Sequence, residues 1–420
     1  WRGAKIENIQ QYQRDFPNAR LVRLEQNYRS TQMILKAANA VIAVNPHTHE
    51  KRLWSQHGPG DRIRVREYGD EIAEAEGIAQ GLMEAHGGSS MRWGQAAVLY
   101  RSNFQAREIE KALREYGVPY RVSGGPSWFD AREIRDGLAY LKLLFNPEDN
   151  PAFLRVANTP RRGIGSSSMA RLLEFARASG ASLFEAATDG QFQRELPDGA
   201  ARGLRGFTNL LIDFNDRAIR GRDHQDPEHT GALYRELIEH VEYFDWIDEQ
   251  AEKPEQARRR RKSLDDLIGW IERLSRDISS TEELITRIML AAGPDDDQDD
   301  NADEVRLMTL HAAKGLEFPR VWLAGLEEGL LPHRHSVEEG RIEEERRLMY
   351  VGLTRAERNL TLSYCKTRRQ FGETSAREPS RFLSELPPDL LEWPGRDGRK
   401  TVDATQARGN LAALKAMLEN

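Results

Sequence analysis

The sequence predicts an α/β fold in which a parallel sheet is interrupted by a mostly α-helical insertion and then resumed. Three observations carry this. Strand-like and helix-like runs alternate over the first third of the chain. From about residue 123 to 290 the pattern is almost wholly helical, rich in Leu, Ala, Arg and Glu, and after residue 304 the alternation returns. Alternation of this kind implies parallel strands joined by crossover helices. At 420 residues, with 39% hydrophobic content, the chain can build two to four cored domains. No apolar run approaches the ~18–20 residues of a membrane-spanning helix, which predicts a soluble chain without a membrane partner.

Taken in order, "ARLVRL" is a short β-like run. A helix from Ser30 to about Ile42 follows, with Ile34, Leu35, Ala38, Val41 and Ile42 forming an apolar stripe at helical spacing. "RIRVREY" reads as a strand, "EIAEAEGIAQGLMEAH" as a helix and "AAVLYR" as a buried strand. "FQAREIEKALREYG" is a helix ended by Gly117 ahead of Val118-Pro119. "SGG" at Ser123, Gly124 and Gly125 reads as a flexible joint into the helical insertion. After the insertion, "VRLMTL", "RVWLAGL" and "NLTLSYC" read as strands and "IEEERRLMYVGLTRAE" as a helix. The divisions expected are 1–122, a helical part 123–290, an acidic linker 291–304, a second α/β part 305–395 and a loosely held tail 396–420.

Charge and cysteine content narrow the function classes. Lys+Arg 61 against Asp+Glu 67 gives a net charge of −6, which argues against non-specific adhesion to nucleic acid over the whole surface but allows a local basic track. The runs "ARRRRK" and "PDDDQDDNADE" read as a solvated face and a linker. A single cysteine, Cys365, excludes an internal disulfide framework and a cysteine-based zinc cluster. It reads as a small buried hydrophobe, and the scarcity of cysteine fits a reducing compartment. The chain opens "WRGAKIENIQ", with no initiator Met or targeting pattern, as a segment of a longer polypeptide would.

The chemistry-bearing motifs form half of a site. No glycine loop ending in Gly-Lys-Ser/Thr is present to cradle phosphates, since "AAKGLE" reverses the order. No acidic pair follows an apolar strand where it could hold Mg2+. Alone, the chain is expected to bind triphosphate poorly and not to hydrolyse it. Against this stand "LEQNYRST" (24–31), "LMTLHAAKGLEFPRVWLAGLEEGLLPHRHS" (307–336) and "EEERRLMYVGLTRAERNL" (343–360). With the opening "WRGA", "VLYRSN" and "PYRVSGGPSWFDAREIRD", these blocks closely resemble the last motifs of the superfamily 1A DNA helicases, the Rep/UvrD/PcrA group, in order and spacing over essentially the whole chain.

That resemblance implies a RecA-like domain, called 2A in the family, interrupted by the mobile helical subdomain 2B. It implies ATP with Mg2+ as the nucleotide, the Mg2+ ligands lying on the first RecA-like domain, which is not in this chain. Arg29 and Arg355 would be catalytic arginine fingers toward the γ-phosphate. Tyr28 would stack on adenine, Glu317 would accept a hydrogen bond from the ribose, and Gly315 would belong to the same ATP-binding set. A guanidinium supplied from a second domain neutralises charge on the transferring phosphoryl group only when the cleft closes. For any one arginine standing alone, a surface ion pair is the ordinary alternative.

The same resemblance implies DNA contacts. Trp1 would stack on a single-strand base and Arg2 would hold a phosphate, with a frayed terminus as the alternative for Trp1. Arg101, Asn103, Thr309 and His311 would grip the backbone, with a structural histidine as the alternative for His311. Ser123, Gly124 and Gly125 would be the hinge of 2B. "NTPRRGIGSSSMARLLEFA" resembles a helix-hairpin-helix in which Gly163 and Gly165 bring backbone N–H groups to a duplex phosphate. There Arg161 and Arg162 would add charge, and a serine among 166–168 would cap the next helix; a plain turn is the alternative. In "WFDAREIRD" Ala131 stands where the family often has arginine, so a contact is lost or passes to Arg132. The short tail resembles the Rep branch. The expectation is the C-terminal half of an ATP-dependent 3′→5′ DNA helicase, bacterial, cytoplasmic and nucleoid-associated. Its partners would be single-stranded DNA, single/double-strand junctions, the absent 1A/1B domains and replication or repair proteins. The rivals are a repair helicase of the UvrD/PcrA type and a non-catalytic DNA-binding or docking module.

Overall fold

The computed structural model describes residues 24–46, 52–89, 91–224, 226–278, 280–291, 302–370 and 373–393, with isolated positions between 15 and 22. Trp1 and Arg2, half of the "ARLVRL" run, most of the acidic run and the tail lie outside the described residues. Two units emerge. One comprises the chain up to Gly125 and from Asp299 onward, the other Pro126–Gln298.

The first unit is built on a seven-stranded sheet in which every strand pair is parallel. Its strands are β1 (Ile63–Tyr68), β2 (Ala96–Tyr100), β3 (Tyr120–Ser123), β4 (Val305–Thr309), β5 (Phe318–Leu323), β6 (Ala356–Cys365) and, after the separate antiparallel hairpin β7 (Thr367–Gln370) and β8 (Glu373–Ala376), the short β9 (Leu391–Glu392). The order across the sheet is β3-β4-β2-β5-β6-β1-β9. The buried run of β2 shows why both faces must be covered. Ala97 and Leu99 point into one apolar layer, Ala96, Val98 and Tyr100 into the other. The helices Gln32–Ala43 and Ile342–Leu353 cover the first face, through Ile34, Ala38, Val41, Leu348, Met349 and Leu353. Glu71–Ser89 and Ala106–Glu115 cover the second, through Ile78, Leu82, Ile109 and Leu113.

Local signals set the element ends. Asp70 Oδ1 accepts the amides of Ile72 and Ala73 at 3.1 and 2.9 Å, starting one helix. Gly117, at φ +65°, closes another, where the Val118 amide reaches back to the Leu113 carbonyl at 2.8 Å. Ser123 corrects the expected hinge. It pairs with Met308 as the last residue of β3, so the sheet extends into the "SGG" run and the boundary between units falls after Gly125. The expected linker is corrected at both ends. The helix Thr281–Ala291 runs into it, and Asp303 and Glu304 are engaged by the Gly94 amide at 2.7 Å and by Arg121 at 2.9 Å.

The second unit is helical throughout its described residues. Its core gathers Tyr140, Phe153, Phe207, Tyr234 and Trp270 from the helices Arg132–Phe145, Asn150–Val156, Asp198–Asp223, Pro227–His240 and Pro254–Asp277. The "ARRRRK" run lies on the last of these, where Arg261 pairs with Asp248 at 2.6 Å.

Candidate functional site

Three chain segments meet at the N-terminal ends of β5 and β6. The first is the tight turn ahead of Gln32–Ala43. Asn27 Oδ1 accepts the amides of Arg29 and Ser30, each at 2.8 Å, which curls the backbone and presents Tyr28 and Arg29 side by side. Ser30 is fully buried and its hydroxyl donates to the Ala356 carbonyl at 2.7 Å, fastening this turn to β6. The second segment is the turn from β4 to β5, which reverses through Gly315 at φ +92° and delivers Glu317. The third is the C-terminal end of Ile342–Leu353, which delivers Thr354 and Arg355.

The first segment and Glu317 of the second line an open cleft of about 780 Å3, together with His57, Glu357 and Arg358 among others. Tyr28 is 76% exposed, with its hydroxyl held by Gln26 Oε1 at 2.8 Å, and His57 Nε2 bonds the Tyr28 carbonyl at 2.7 Å. Arg29 forms an ion pair with Glu317, so the carboxylate expected at a ribose is engaged by the neighbouring guanidinium. Thr354 joins the two arginines. Its carbonyl accepts from Arg29 at 3.4 Å, and its hydroxyl accepts from Arg355 at 3.3 Å. Arg355 also donates to the Leu316 and Val351 carbonyls at 2.7 and 3.1 Å. Burial and the Arg29 charge push the Arg355 guanidinium below its usual pKa, with Glu317 opposing; a guanidinium remains protonated all the same. Arg29 Nε is buried with no partner among the described residues. Glu317 pairs with Arg29, Arg355 is met by carbonyl and hydroxyl oxygens, Glu357 and Arg358 on the cleft wall balance, and one donor is unsatisfied, which is an arrangement that favours an added anion.

A second cluster sits at the opposite, C-terminal, edge of the sheet. Tyr100 of β2 and Thr309 of β4 are paired, so the residues that follow them, Arg101 and His311, come together. Asn103 is exposed, in the short turn Asn103–Gln105, and its amide nitrogen would lie 3.2 Å from a Cβ on Gly125. Gly124, at φ +85°, packs so closely on Ala312 that a Cβ there would lie 2.8 Å away. Arg101 is turned inward. Its guanidinium makes two bonds to Glu345, at 3.0 and 2.8 Å. Glu345 is 2% exposed and also accepts from the His333 amide and the Ser336 hydroxyl, each at 2.9 Å. Burial works against its ionisation, but these donors hold its carboxyl below the usual range. Half-burial and the Arg101 charge push His311 below its ordinary pKa.

The helix-hairpin-helix segment is partly corrected. Arg162 is not offered to an outside phosphate. It closes the end of Asn150–Val156, donating to the Val156 and Ala157 carbonyls at 2.8 and 3.1 Å and to the Tyr140 hydroxyl at 2.7 Å. Arg161 is exposed. Gly163 takes φ +77°, whereas Gly165 has an ordinary backbone and itself occupies the helix N-cap, so no serine side chain caps Ser166–Ser179. The turn is organised by Asn158, which accepts the Arg162 and Ile164 amides at 2.8 and 3.2 Å.

Sequence reasoning passed over Asn27, His57, Thr354 and Glu345. The Asn-x-x-Ser pattern of the first turn was a usable signal for Asn27; nothing local marks the others. Cys365 is fully buried, and burial pushes its thiol up. With Glu74 and Glu327 it forms a group of three potential metal ligands, and the Arg368 side chain bonds to all three.

Comparison with known proteins decides the family. The UvrD-like helicase C-terminal domain matches residues 22–367. The chain belongs to that family. ATP-dependent DNA helicase Rep of Salmonella typhimurium is 42% identical, aligned over 100% of this chain and 62% of that protein. ATP-dependent DNA helicase PcrA of Bacillus subtilis is 38% identical, over 97% and 55%, and DNA helicase II of Escherichia coli is 38% identical, over 93% and 54%. This member of the UvrD-like family thus spans somewhat over half the length of these curated relatives. No helix among its described residues is long and apolar enough to cross a membrane.

Proposed function

We propose that the chain is the second motor domain, with its inserted helical subdomain, of an ATP-dependent 3′→5′ DNA helicase that moves along single-stranded DNA and opens single/double-strand junctions. One observation carries the reading: Arg29 and Arg355, 326 positions apart in sequence, are joined at Thr354 beside a cleft, with Glu317 the carboxylate paired to Arg29 and one guanidinium N–H unsatisfied. ATP held on a partner domain fits this half-site. Tyr28 offers a stacking face for the base. Arg29 and Arg355 stabilise charge on the transferring phosphoryl oxygens; Mg2+, whose ligands would lie on the partner domain, would supply further charge neutralisation when bound with ATP. Glu317 pairs with Arg29 in the open cleft; on closure it is free to accept from a sugar hydroxyl as Arg29 turns to phosphate. At the far edge Asn103, Thr309 and His311 meet the DNA backbone, Arg101 stands behind them, and 2B brings Arg161 and the Gly163 turn to the duplex. The higher identity and full coverage of this chain support the Rep role over the DNA helicase II role; in that role the protein acts in replication or its restart, at the nucleoid of the bacterial cytoplasm.

In the full-length protein, Arg355→Ala should lower kcat for ATP by about 10³–10⁵ with little effect on ATP affinity, read by steady-state turnover and nucleotide titration. Turnover that survives the change removes the finger assignment.

A further inference from the structure

The arginine cleft and the C-terminal edge lie at opposite ends of one helix pair. Gln32–Ala43 begins at the Arg29–Ser30 turn and ends at Asn45, whose side chain donates to the Glu343 carbonyl at 3.0 Å and accepts from Arg346. Ile342–Leu353 starts there and runs back to Thr354 and Arg355, so the two helices are antiparallel. Arg346 is buried and also grips Glu385, at 2.9 and 2.8 Å. A 12-residue helix is about 18 Å long. Three residues into it stands Glu345, whose carboxylate takes four bonds, two of them from Arg101.

We propose that Glu345 is a positioning residue that links strand occupancy at the Arg101–His311 edge to the aim of Arg355. A phosphate arriving at that edge competes with Glu345 for the Arg101 guanidinium, since both are anions seeking the same planar donors. Release of that pair shifts the start of Ile342–Leu353, and a helix with its hydrogen bonds intact moves as a unit. Its far end is the Thr354 tether shared by Arg29 and Arg355. Glu345 touches neither nucleotide nor DNA; it acts through the helix. The inference rests on the cleft and edge assignments of the preceding subsection.

The test uses the full-length protein and poly(dT). Glu345→Gln keeps the shape and removes the charge that holds Arg101. Basal ATP turnover should rise toward the poly(dT)-stimulated rate, so that the fold stimulation by poly(dT) falls about tenfold. Poly(dT) affinity measured with and without a non-hydrolysable ATP analogue should lose its difference, because coupling between two bound ligands is reciprocal. Glu345→Asp should restore part of both. Stimulation that persists in Glu345→Gln overturns the proposal, as does a proportional fall of basal and stimulated turnover, the signature of a structural role. Should Glu345→Gln fail to fold, Ser336→Ala, which removes one of the four bonds, is read in the same way; unchanged stimulation there counts against the link. Arg355→Ala measured alongside separates the two readings. Survival of turnover there sinks the cleft assignment, whereas its loss together with intact stimulation in Glu345→Gln sinks only the link.

Discussion

A guanidinium serves a phosphoryl centre best when it is aimed before the substrate arrives; in this chain the Thr354, Leu316 and Val351 oxygens hold the Arg355 guanidinium, and under the proposed function they would be what aims it. The arginines themselves were legible in the sequence because they lie in long motifs. Thr354 was not, since its part depends on a helix end meeting a distant turn, and neither segment announces the other. Arg162 illustrates the converse. Its motif suggested a phosphate contact, but the free carbonyls at the end of Asn150–Val156 lie within reach and took it. His311 yields a prediction at this scale. Its depressed pKa leaves the ring neutral at pH 7.5, and a phosphate brought beside it raises that pKa. Binding then takes up a proton, so affinity for single-stranded DNA should rise as pH falls from about 7.5 toward 6, by up to about tenfold per unit of induced shift. His311→Gln should flatten the profile, measured by fluorescence titration at fixed ionic strength. The same shift opposes stability: below about pH 6.5 the unfolded chain binds the proton first, so the native state loses ground as pH drops.

Among the elements, long periodic segments were readable and short polar ones were not. The stripe of Ile34, Leu35, Ala38 and Val41 marked its helix within two residues at each end. Strand β3 was missed because four residues between Pro119 and Gly124 give no alternation to detect, and they become a strand only by pairing with β4. The hairpin β7–β8 carries an exposed second strand, and β9 has two residues; none of these has an apolar pattern. Helix packing gives a test in the second unit. At Gly203, within Asp198–Asp223, a Cβ would lie 1.9 Å from the Arg162 carbonyl oxygen. Helix propensity alone favours alanine by about 1 kcal/mol, but neither of two backbones can yield that distance. Gly203→Ala should therefore destabilise the helical unit by about 1–3 kcal/mol, seen as a lowered melting midpoint with the α/β unit unaffected.

For the molecule as a whole, each unit carries its own core: residues between Phe129 and Ile288 form one, and the two sheet faces form the others. Excision of 126–298 with a short Gly/Ser bridge should thus leave a cooperatively folded α/β unit with its far-ultraviolet spectrum and a single melting transition. A loss of cooperativity would mean the sheet needs the insertion.

The strand order has a bearing on how the polypeptide is made. β1, β2 and β3 all precede the insertion, yet no two of them are neighbours; each waits for β4, β5, β6 or β9. On the ribosome these three segments emerge with no hydrogen-bonding partner, and the helical unit, whose contacts are closer in sequence, completes first. Until β6, Ala356–Cys365, leaves the exit tunnel and can pair with β1, the nascent chain holds naked strand edges, a period in which chaperone protection matters more than final stability.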